Sequence, residues 1–102
     1  MSNQPFTSGD WVVKQGSEQE FIERWSDFAQ WAKGNSTGAG SFWLIQEKEN
    51  PSHFISFGSW ADDDSVQGWR SGPEFPSRLG HVRELCDQFV AKDFHLVAGS
   101  EE

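Results

Sequence analysis

The sequence predicts an α+β fold in which four strands and the helical regions between them follow the order βαββαβ. Short segments with alternating apolar residues are typical of strands, and longer segments with apolar residues three and four positions apart are typical of amphipathic helices. With 102 residues, the chain has room for one core. The order βαββαβ is that of a ferredoxin-like fold, a four-stranded antiparallel sheet with its helices on one face.

The first strand is predicted at residues 10–15, because a Trp-Val-Val segment favours extended structure and Gly16 ends it. The next four residues have the pattern of a capping box, in which the Ser17 hydroxyl and the Glu20 carboxylate each satisfy a free backbone N–H. A helix is predicted from there to Gly34. Its apolar stripe consists of residues at helical spacing: Phe21, Ile22, Trp25, Phe28, Ala29 and Ala32.

Two strands are predicted at residues 41–47 and 53–60, and the short polar turn between them favours a hairpin. Asp62 is placed to cap a helix that the Gly-Pro pair at 72–73 ends. A last strand is predicted at residues 92–98, where apolar residues alternate. Between these two elements a second helix is predicted from five residues at helical spacing: Leu79, Val82, Leu85, Cys86 and Phe89.

Both chain ends are short of apolar residues. We therefore expect flexible tails at residues 1–9 and 99–102, and one folded domain at residues 10–98.

Apolar side chains occur on both sides of the predicted strands, as Phe54 and Trp60 do against Ile55 and Phe57. The helices can cover one face of the sheet, and the other face is too apolar to be exposed to water. Two sheets packed face to face would bury it. The sequence therefore predicts a homodimer with twofold symmetry.

The charge of the chain restricts its partners. Sixteen acidic residues against eight Lys and Arg give a net charge of −8, which disfavours binding to nucleic acid or to an anionic membrane. No apolar run approaches the roughly 18 residues of a membrane span. Cys86 is the single cysteine, and the N-terminus has no signal-peptide pattern. These features predict a soluble, cytoplasmic protein.

Four aromatic residues are candidates for binding a small molecule. Trp69 lies on a short helix with few other inward-facing residues, where an indole can stack on a planar ligand while its N–H orients a carbonyl. Trp60, Phe54 and Phe57 flank small residues on a strand, which leaves room for a pocket. The alternative for each of the four is ordinary core packing.

His81 is the best candidate for a general base, because an imidazole that titrates near neutral pH can accept the proton of a phenol or quinol. Simple solvent exposure is the alternative. The three histidines have no spacing that forms a local metal site. We therefore expect no metal, and no phosphate-loop motif indicates another cofactor.

Arg70, Arg78 and Arg83 form a locally positive stretch in an otherwise acidic chain. Arg70 and Arg83 are candidates for binding a phenolate or carboxylate. Solvated helix faces with ion pairs inside a dimer are the alternative. The three aspartates at 62–64 are attributed to helix capping rather than to a metal site.

Several segments together resemble the antibiotic biosynthesis monooxygenase family over residues 10–98. They are Gly-Ser-Glu-Gln-Glu-Phe at 16–21, Phe-Gly-Ser-Trp at 57–60, and Val-Gln-Gly-Trp at 66–69 followed by Pro-Glu-Phe at 73–75. The resemblance implies a dimeric α/β barrel in which each subunit has a cavity between its sheet and its helices. The family includes cofactor-free oxygenases of aromatic polyketides and quinols, heme-degrading enzymes, and members without a known activity.

The functional residues of the family are present here only in part. Heme-degrading members use an Asn, a Trp and a His, which fall at Gly9, Trp69 and Leu79, with His81 two residues beyond. Polyketide oxygenases pair the same Trp with an Asn at the position of Ser65, and with a Tyr, a residue type that this sequence lacks.

These observations lead to two main hypotheses. The first is a cofactor-independent monooxygenase whose cavity binds an aromatic compound of the quinol or polyketide type, oriented by Trp69 and deprotonated with help from His81. The second is a non-catalytic dimer that binds small molecules or is associated with stress. Heme binding or degradation ranks third, because no axial ligand can be named.

Overall fold

The computed structural model describes residues 3–100 of the chain. The elements are β1 (Pro5–Val13), α1 (Glu18–Asn35), β2 (Ala39–Gln46), β3 (His53–Trp60), α2 (Asp63–Ser71), α3 (Phe75–Arg83) and β4 (Cys86–His95). The strands form one antiparallel sheet in the order β2-β3-β1-β4. This confirms the predicted ferredoxin-like α+β fold, in which two short helices occupy the second crossover. No helix within residues 3–100 has the length and hydropathy needed to cross a membrane.

The domain begins at Pro5, inside the segment that was predicted to be a flexible tail, so the predicted boundary at residue 10 is corrected. Strand β1 is central and pairs with β3 on one side and with β4 on the other. Two partner strands hold its backbone in place, so its first half needs few apolar side chains to be ordered. Residues 1, 2, 101 and 102 of the predicted tails lie outside the described residues.

The boundary between α3 and β4 also differs from the prediction. The apolar spacing favoured a helix as far as Phe89, whereas α3 ends at Arg83 and β4 begins at Cys86. Pairing with β1 along nearly the whole of β4 outweighs the local helical pattern. Phe89 still contacts the core, because it lies on the helix-facing side of the strand.

The predicted capping box at the start of α1 is not formed. The Ser17 side chain makes no capping hydrogen bond. The Glu18 carboxylate instead accepts a hydrogen bond from the Gly16 N–H at 3.0 Å, and Glu20 forms an ion pair with Arg24 at 2.6 Å. The helix thus begins at the predicted place with different partners.

The two faces of the sheet differ in their surroundings. The helix-facing side is buried against α1 and α3 in a largely aromatic core that contains Trp11, Val13, Phe21, Trp25, Phe54 and Val82. The other side, which we call the open face, is not covered by any helix. It exposes the large apolar side chains Trp43, Ile45, Val90 and Phe94.

A histidine bridges two carboxylates on the open face. His53 Nε2 lies 2.8 Å from Asp10 Oδ1, and His53 Nδ1 lies 2.8 Å from Glu47 Oε1. Both ring nitrogens can donate at once only if the imidazole is protonated. The hydrogen bonds to Glu47 and then to Asp10 accordingly raise the pKa of His53 above its usual 6.5.

We expect the stability that His53 contributes to decrease as the pH rises. A raised pKa in the folded state stabilises the protein fully below the unfolded pKa, and the effect is lost as the pH passes through the folded pKa. The difference in Tm between the wild type and His53→Gln should therefore shrink as the pH rises above the usual histidine pKa of 6.5. An unchanged difference for His53→Gln would contradict the assignment.

Candidate functional site

A cavity lies between the helix-facing side of the sheet and the three helices. Its volume is about 70 Å³, and it is partly open to solvent. All three helices contribute to its walls, which are mainly aromatic and aliphatic: Trp25, Phe28, Trp69, Phe75 and Leu79. This is the position that the family resemblance implies for a ligand cavity.

The floor of the cavity is a group of four small residues on the two central strands. Thr7 pairs with Gly58, and Gly9 pairs with Ser56, so hydroxyl side chains and glycines alternate across the strand pair. All four line the cavity. The rings of Trp11 and Phe42 lie over the two glycines, where any side chain would collide with them.

Gly9 is required by the close approach of an indole. Trp11 extends across Gly9 and its Nε1 donates a hydrogen bond to Ser56 Oγ at 3.0 Å. A Cβ atom at position 9 would lie 2.7 Å from Trp11 Nε1 and 2.9 Å from Ser56 Oγ. The side chain of Trp11 therefore occupies the space that a side chain at position 9 would need.

Trp69 covers the cavity from α2. Its ring packs against Trp60, Phe28 and Phe75, with ring centroids 4.8, 5.8 and 4.8 Å away. The Trp69 Nε1 atom is buried and has no hydrogen-bond partner among the described residues. Because a buried donor without an acceptor costs about 1–3 kcal/mol, this N–H is a candidate contact for a ligand.

Both ends of α2 are anchored. At its start, the Asp62 side chain accepts a hydrogen bond from the Ser65 N–H at 2.8 Å, as predicted. Near its end, Arg70 donates to both carboxylate oxygens of Asp93 in β4, at 2.9 and 2.5 Å. This hydrogen bonding lowers the pKa of Asp93. Arg70 lines the cavity, and it is the one ionisable side chain among the described lining residues.

A larger cleft lies on the outer side of Trp69. It has a volume of about 620 Å³ and lies between the end of α1, helix α2 and the loop before α3, where it is lined by Trp31, Ser65, Pro73 and Glu74. Trp69 lines both the cavity and the cleft. Small-molecule pockets typically measure roughly 300–1,000 Å³. The cleft is in this range, and the cavity is below it.

The aromatic candidates occupy three different environments. Trp60 is fully buried beneath Trp69 and donates a hydrogen bond to Thr7 Oγ1 at 3.1 Å. Phe54 is a core residue whose ring lies 4.8 Å from that of Phe21. The ring of Phe57 lies on the open face, where it packs 5.3 Å from Trp43. Phe54 is therefore a core residue. Phe57 is among the residues that line the cavity, although its ring lies on the open face because successive side chains of a strand point to opposite faces.

His81 lies outside the cavity. It is exposed on the outer side of α3, where Arg24 Nη1 donates to its backbone carbonyl at 2.8 Å and approaches its Nδ1 at 3.5 Å. The inward-facing residues of α3 are Leu79 and Val82, and position 81 points away from them because successive helical residues are about 100° apart. The structure does not bring this predicted base to Trp69.

Arg83, the other predicted anion-binding residue, is also outside the cavity. Its guanidinium lies over the Phe89 ring at 5.3 Å from the centroid. Arg70 is the predicted ionisable site residue that is found among the described residues lining the cavity.

The three positions inferred from heme-degrading relatives do meet at the cavity. Gly9, Trp69 and Leu79 all line it, but two of them lack the functional side chains of those enzymes. Trp11 fills the space beside Gly9, and a cavity of about 70 Å³ is far smaller than a porphyrin. The residues present therefore do not fit a heme. Within residues 3–100, no group of three or more His, Cys, Asp or Glu is placed to hold a metal ion.

Sequence reasoning missed the floor residue Thr7, because residues 1–9 were assigned to a tail. A signal was available: Thr-Ser-Gly at 7–9 and Ser-Phe-Gly at 56–58 have the same hydroxyl-x-Gly spacing. Their antiparallel register places each hydroxyl opposite the glycine of the other strand.

Comparison with solved structures identifies proteins of the same fold. SnoaB from Streptomyces nogalater, a cofactor-independent oxygenase, matches with a TM-score of 0.87 and 17% identity over 99% of this chain and 100% of SnoaB. A Bordetella bronchiseptica protein named for antibiotic biosynthesis monooxygenases matches with a TM-score of 0.82 and 15% identity over 95% of this chain and 100% of that protein. A conserved protein from Methanosarcina mazei matches with a TM-score of 0.77 and 18% identity over 89% of this chain and 90% of that protein.

Sequence comparison agrees with this fold. No curated protein matches the chain, but the family model of antibiotic biosynthesis monooxygenases matches residues 10–77. This match extends from within β1 to the start of α3, and it includes Trp69 and the floor residues Ser56 and Gly58. The chain belongs to the antibiotic biosynthesis monooxygenase family.

Proposed function

We propose that the protein is a cofactor-independent monooxygenase that oxidises electron-rich aromatic compounds of the quinol or polyketide type. The observation that carries this proposal is the buried Trp69 N–H without an acceptor among the described residues, beside a cavity of a family member. A hydrogen-bond donor in such a place is satisfied when a ligand oxygen accepts from it. SnoaB, a cofactor-independent oxygenase, has the same fold.

The proposed reaction needs a phenolate and dioxygen. An ionised phenol can transfer an electron to O₂, and recombination of the two radicals forms a carbon–oxygen bond at the ring carbon para to the hydroxyl. Loss of water then gives the quinone, so that phenol plus O₂ yields quinone plus water. The ring carbon is oxidised, one oxygen atom is retained in the product, and the other is reduced to water.

The side chains around the cavity have three tasks in this proposal. The Trp69 N–H orients the substrate oxygen, and the aromatic walls exclude water. Arg70 uses two of its five N–H groups for Asp93 and can donate another to the phenolate, which favours the phenolate over the phenol. Because His81 lies away from the cavity, the phenol proton passes to solvent through the open side. Arg70 retains its ion pair with Asp93, which positions its guanidinium.

Oxygen consumption with a panel of phenols, quinols and anthrone-type compounds tests this function. We expect O₂ uptake without added flavin or metal, equal amounts of quinone formed, and one atom of ¹⁸O from labelled O₂ in each quinone. Protein purified in the presence of a chelator should be equally active. Dependence of turnover on a metal or flavin, or no uptake with any compound of the panel, would refute the proposal.

A second candidate function is binding of a small molecule without catalysis. Two observations favour it: the small volume of the cavity, about 70 Å³, and a lining without a carboxylate or imidazole among the described residues. The same panel separates the two functions. A binding protein would show saturable quenching of tryptophan fluorescence by a phenol that it does not consume.

We also propose that two copies pack through the open face as a homodimer. This face exposes Trp43, Ile45, Val90 and Phe94, and the burial of apolar surface at about 25 cal/mol per Å² would stabilise their contact with a second copy. A twofold axis would place the same residues opposite one another.

Phe94→Glu should dissociate this dimer. The Phe94 side chain is 55% exposed, so the substitution removes no core contact, while the dimer would bury one unpaired carboxylate from each copy. We expect analytical ultracentrifugation to find a dimeric wild type and a monomeric variant at the same concentration. Arg78→Glu, on α3, should remain dimeric. A monomeric wild type would contradict the proposed assembly.

A further inference from the structure

We propose that Thr7 and Ser56 form a pair of hydrogen-bond donors on the cavity floor that binds an anionic oxygen of the ligand. The inference deepens the proposed function and rests on it, because it identifies the ionised form of the phenol as the bound species. It also assigns a role to two residues that lie apart from Trp69, on the opposite side of the cavity.

Each of the two hydroxyl groups accepts a hydrogen bond from an indole and keeps its own hydrogen for another partner. A hydroxyl has one hydrogen to donate and two lone pairs that accept. Trp60 Nε1 donates to Thr7 Oγ1 at 3.1 Å, and Trp11 Nε1 donates to Ser56 Oγ at 3.0 Å. In each case the indole uses a lone pair of the hydroxyl oxygen. The hydroxyl hydrogens are therefore free to donate elsewhere.

The hydroxyl hydrogens of Thr7 and Ser56 have no acceptor in the described part of the protein. Thr7 is 8% exposed and Ser56 is 7% exposed, so bulk water has little access to either side chain. Neither hydroxyl donates to a described residue, and both residues line the cavity. Buried donors are nearly always satisfied in folded proteins. The cavity that both residues line is where a ligand oxygen can accept from them.

The relative position of Thr7 and Ser56 follows from the register of the two central strands. Thr7 and Ser56 are diagonal neighbours on adjacent strands, because the partners in register are Thr7 with Gly58 and Gly9 with Ser56. Diagonal neighbours on one sheet face are about 7–8 Å apart, and their side chains are closer. One oxygen that accepts two hydrogen bonds of about 2.7 Å spans at most about 5.4 Å, so we infer that the Thr7 and Ser56 side chains incline toward each other when they bind one oxygen. The rings of Trp11 and Phe42 lie over the two glycines, so the two hydroxyl groups are the polar side-chain groups that this floor presents to the cavity.

The lining of the cavity indicates the charge of the ligand atom that it binds. Among the polar residues that line the cavity, Thr7, Ser56, Trp69 and Arg70 can all donate, and no carboxylate or imidazole is among the described lining residues. Donors that converge on an oxygen favour its ionised form and lower its pKa. The site thus selects a phenolate or an enolate oxygen over the neutral phenol, without a protein base.

The size of the cavity agrees with this role. A volume of about 70 Å³ accommodates the oxygen-bearing edge of one ring, and the remainder of a larger ligand would extend through the open side. The floor would then contact the oxygen at the inner end of the ligand.

Binding of 4-nitrophenol tests the inference without any turnover, because its phenolate form absorbs visible light. We expect the bound compound to ionise at a lower pH than the free compound. Thr7→Val and Ser56→Ala should each raise this apparent pKa and weaken phenolate binding by about tenfold or more, since a hydrogen bond to a charged group contributes roughly 1.5–3 kcal/mol. Ser59→Ala should bind like the wild type, because the Ser59 hydroxyl accepts from the Ser41 N–H outside the cavity.

Two further controls address folding. Thr7→Val leaves the Trp60 N–H without its acceptor and lowers stability, so binding is compared only after near-ultraviolet circular dichroism shows a native spectrum. Thr7→Ser keeps the hydroxyl and should restore the lowered pKa. If the wild type does not bind the phenolate, or if Thr7→Val and Ser56→Ala bind it as well as Thr7→Ser does, the inference is wrong.

The outcome is separable from that of the proposed oxygenase activity. A lowered pKa of bound nitrophenol that depends on Thr7 and Ser56, together with no O₂ uptake by any phenol, would support the anion site and refute the oxygenase. Oxygen uptake with unchanged kinetics and pH profile in both variants would refute the anion site and leave the oxygenase in place.

Discussion

Trp69→Phe is expected to lower kcat for phenol oxidation by about 10²-fold while leaving the stability of the protein nearly unchanged. The substitution keeps an aromatic ring against Trp60, Phe28 and Phe75 but removes the N–H that would orient the substrate oxygen. Loss of one donor to a developing oxyanion typically costs 10²–10³ in rate, or about 3–4 kcal/mol. Initial rates of O₂ uptake at saturating substrate measure the effect.

The stability result distinguishes Trp69 from an ordinary core tryptophan. Its N–H has no partner among the described residues, so its removal relieves a desolvation cost of about 1–3 kcal/mol, which offsets the packing lost with the smaller ring. Trp60→Phe breaks a hydrogen bond to Thr7 and should lower Tm clearly. Trp31→Phe, at the outer cleft, should retain kcat. A Trp69→Phe variant with wild-type kcat would remove Trp69 from the mechanism.

Gly9→Ala is expected to cause a large loss of stability although it adds a single methyl group. The new Cβ atom would lie 2.7 Å from Trp11 Nε1 and 2.9 Å from Ser56 Oγ, and both are fixed in a buried hydrogen bond. Overpacking costs typically 1–3 kcal/mol, and loss of the hydrogen bond adds about 1 kcal/mol. We expect a decrease of about 2–4 kcal/mol in the free energy of unfolding, measured by urea denaturation.

Gly34→Ala is the matched control for this measurement. Gly34 lies near the end of α1, and a Cβ atom there would have no neighbour within 4 Å. Alanine is favoured over glycine in helices by about 1 kcal/mol, so this variant should be at least as stable as the wild type. If Gly9→Ala were equally stable, Trp11 would have to be free to move away from Ser56.

How far the site could be predicted depended on whether its signal was local. Trp69 was identified because an isolated indole on a short helix is visible in the chain, and the structure places it over the cavity together with Arg70. His81 was assigned by its chemistry alone, and its place on α3 directs it toward Arg24 instead. Histidine is a suitable residue type for a general base, but the local sequence does not indicate in which direction the His81 side chain points.

The sequence alone determined the order of the elements, the hairpin between β2 and β3, the cap at Asp62 and the family, because these features depend on periodicity, turn residues and short motifs that act over a few residues. The tertiary structure decided where β1 and β4 begin, because pairing between distant strands supplies hydrogen bonds that local propensity does not indicate. It also decided the cavity floor. Thr7 and Ser56 are 49 positions apart in sequence, and only the register of β1 against β3 makes them neighbours.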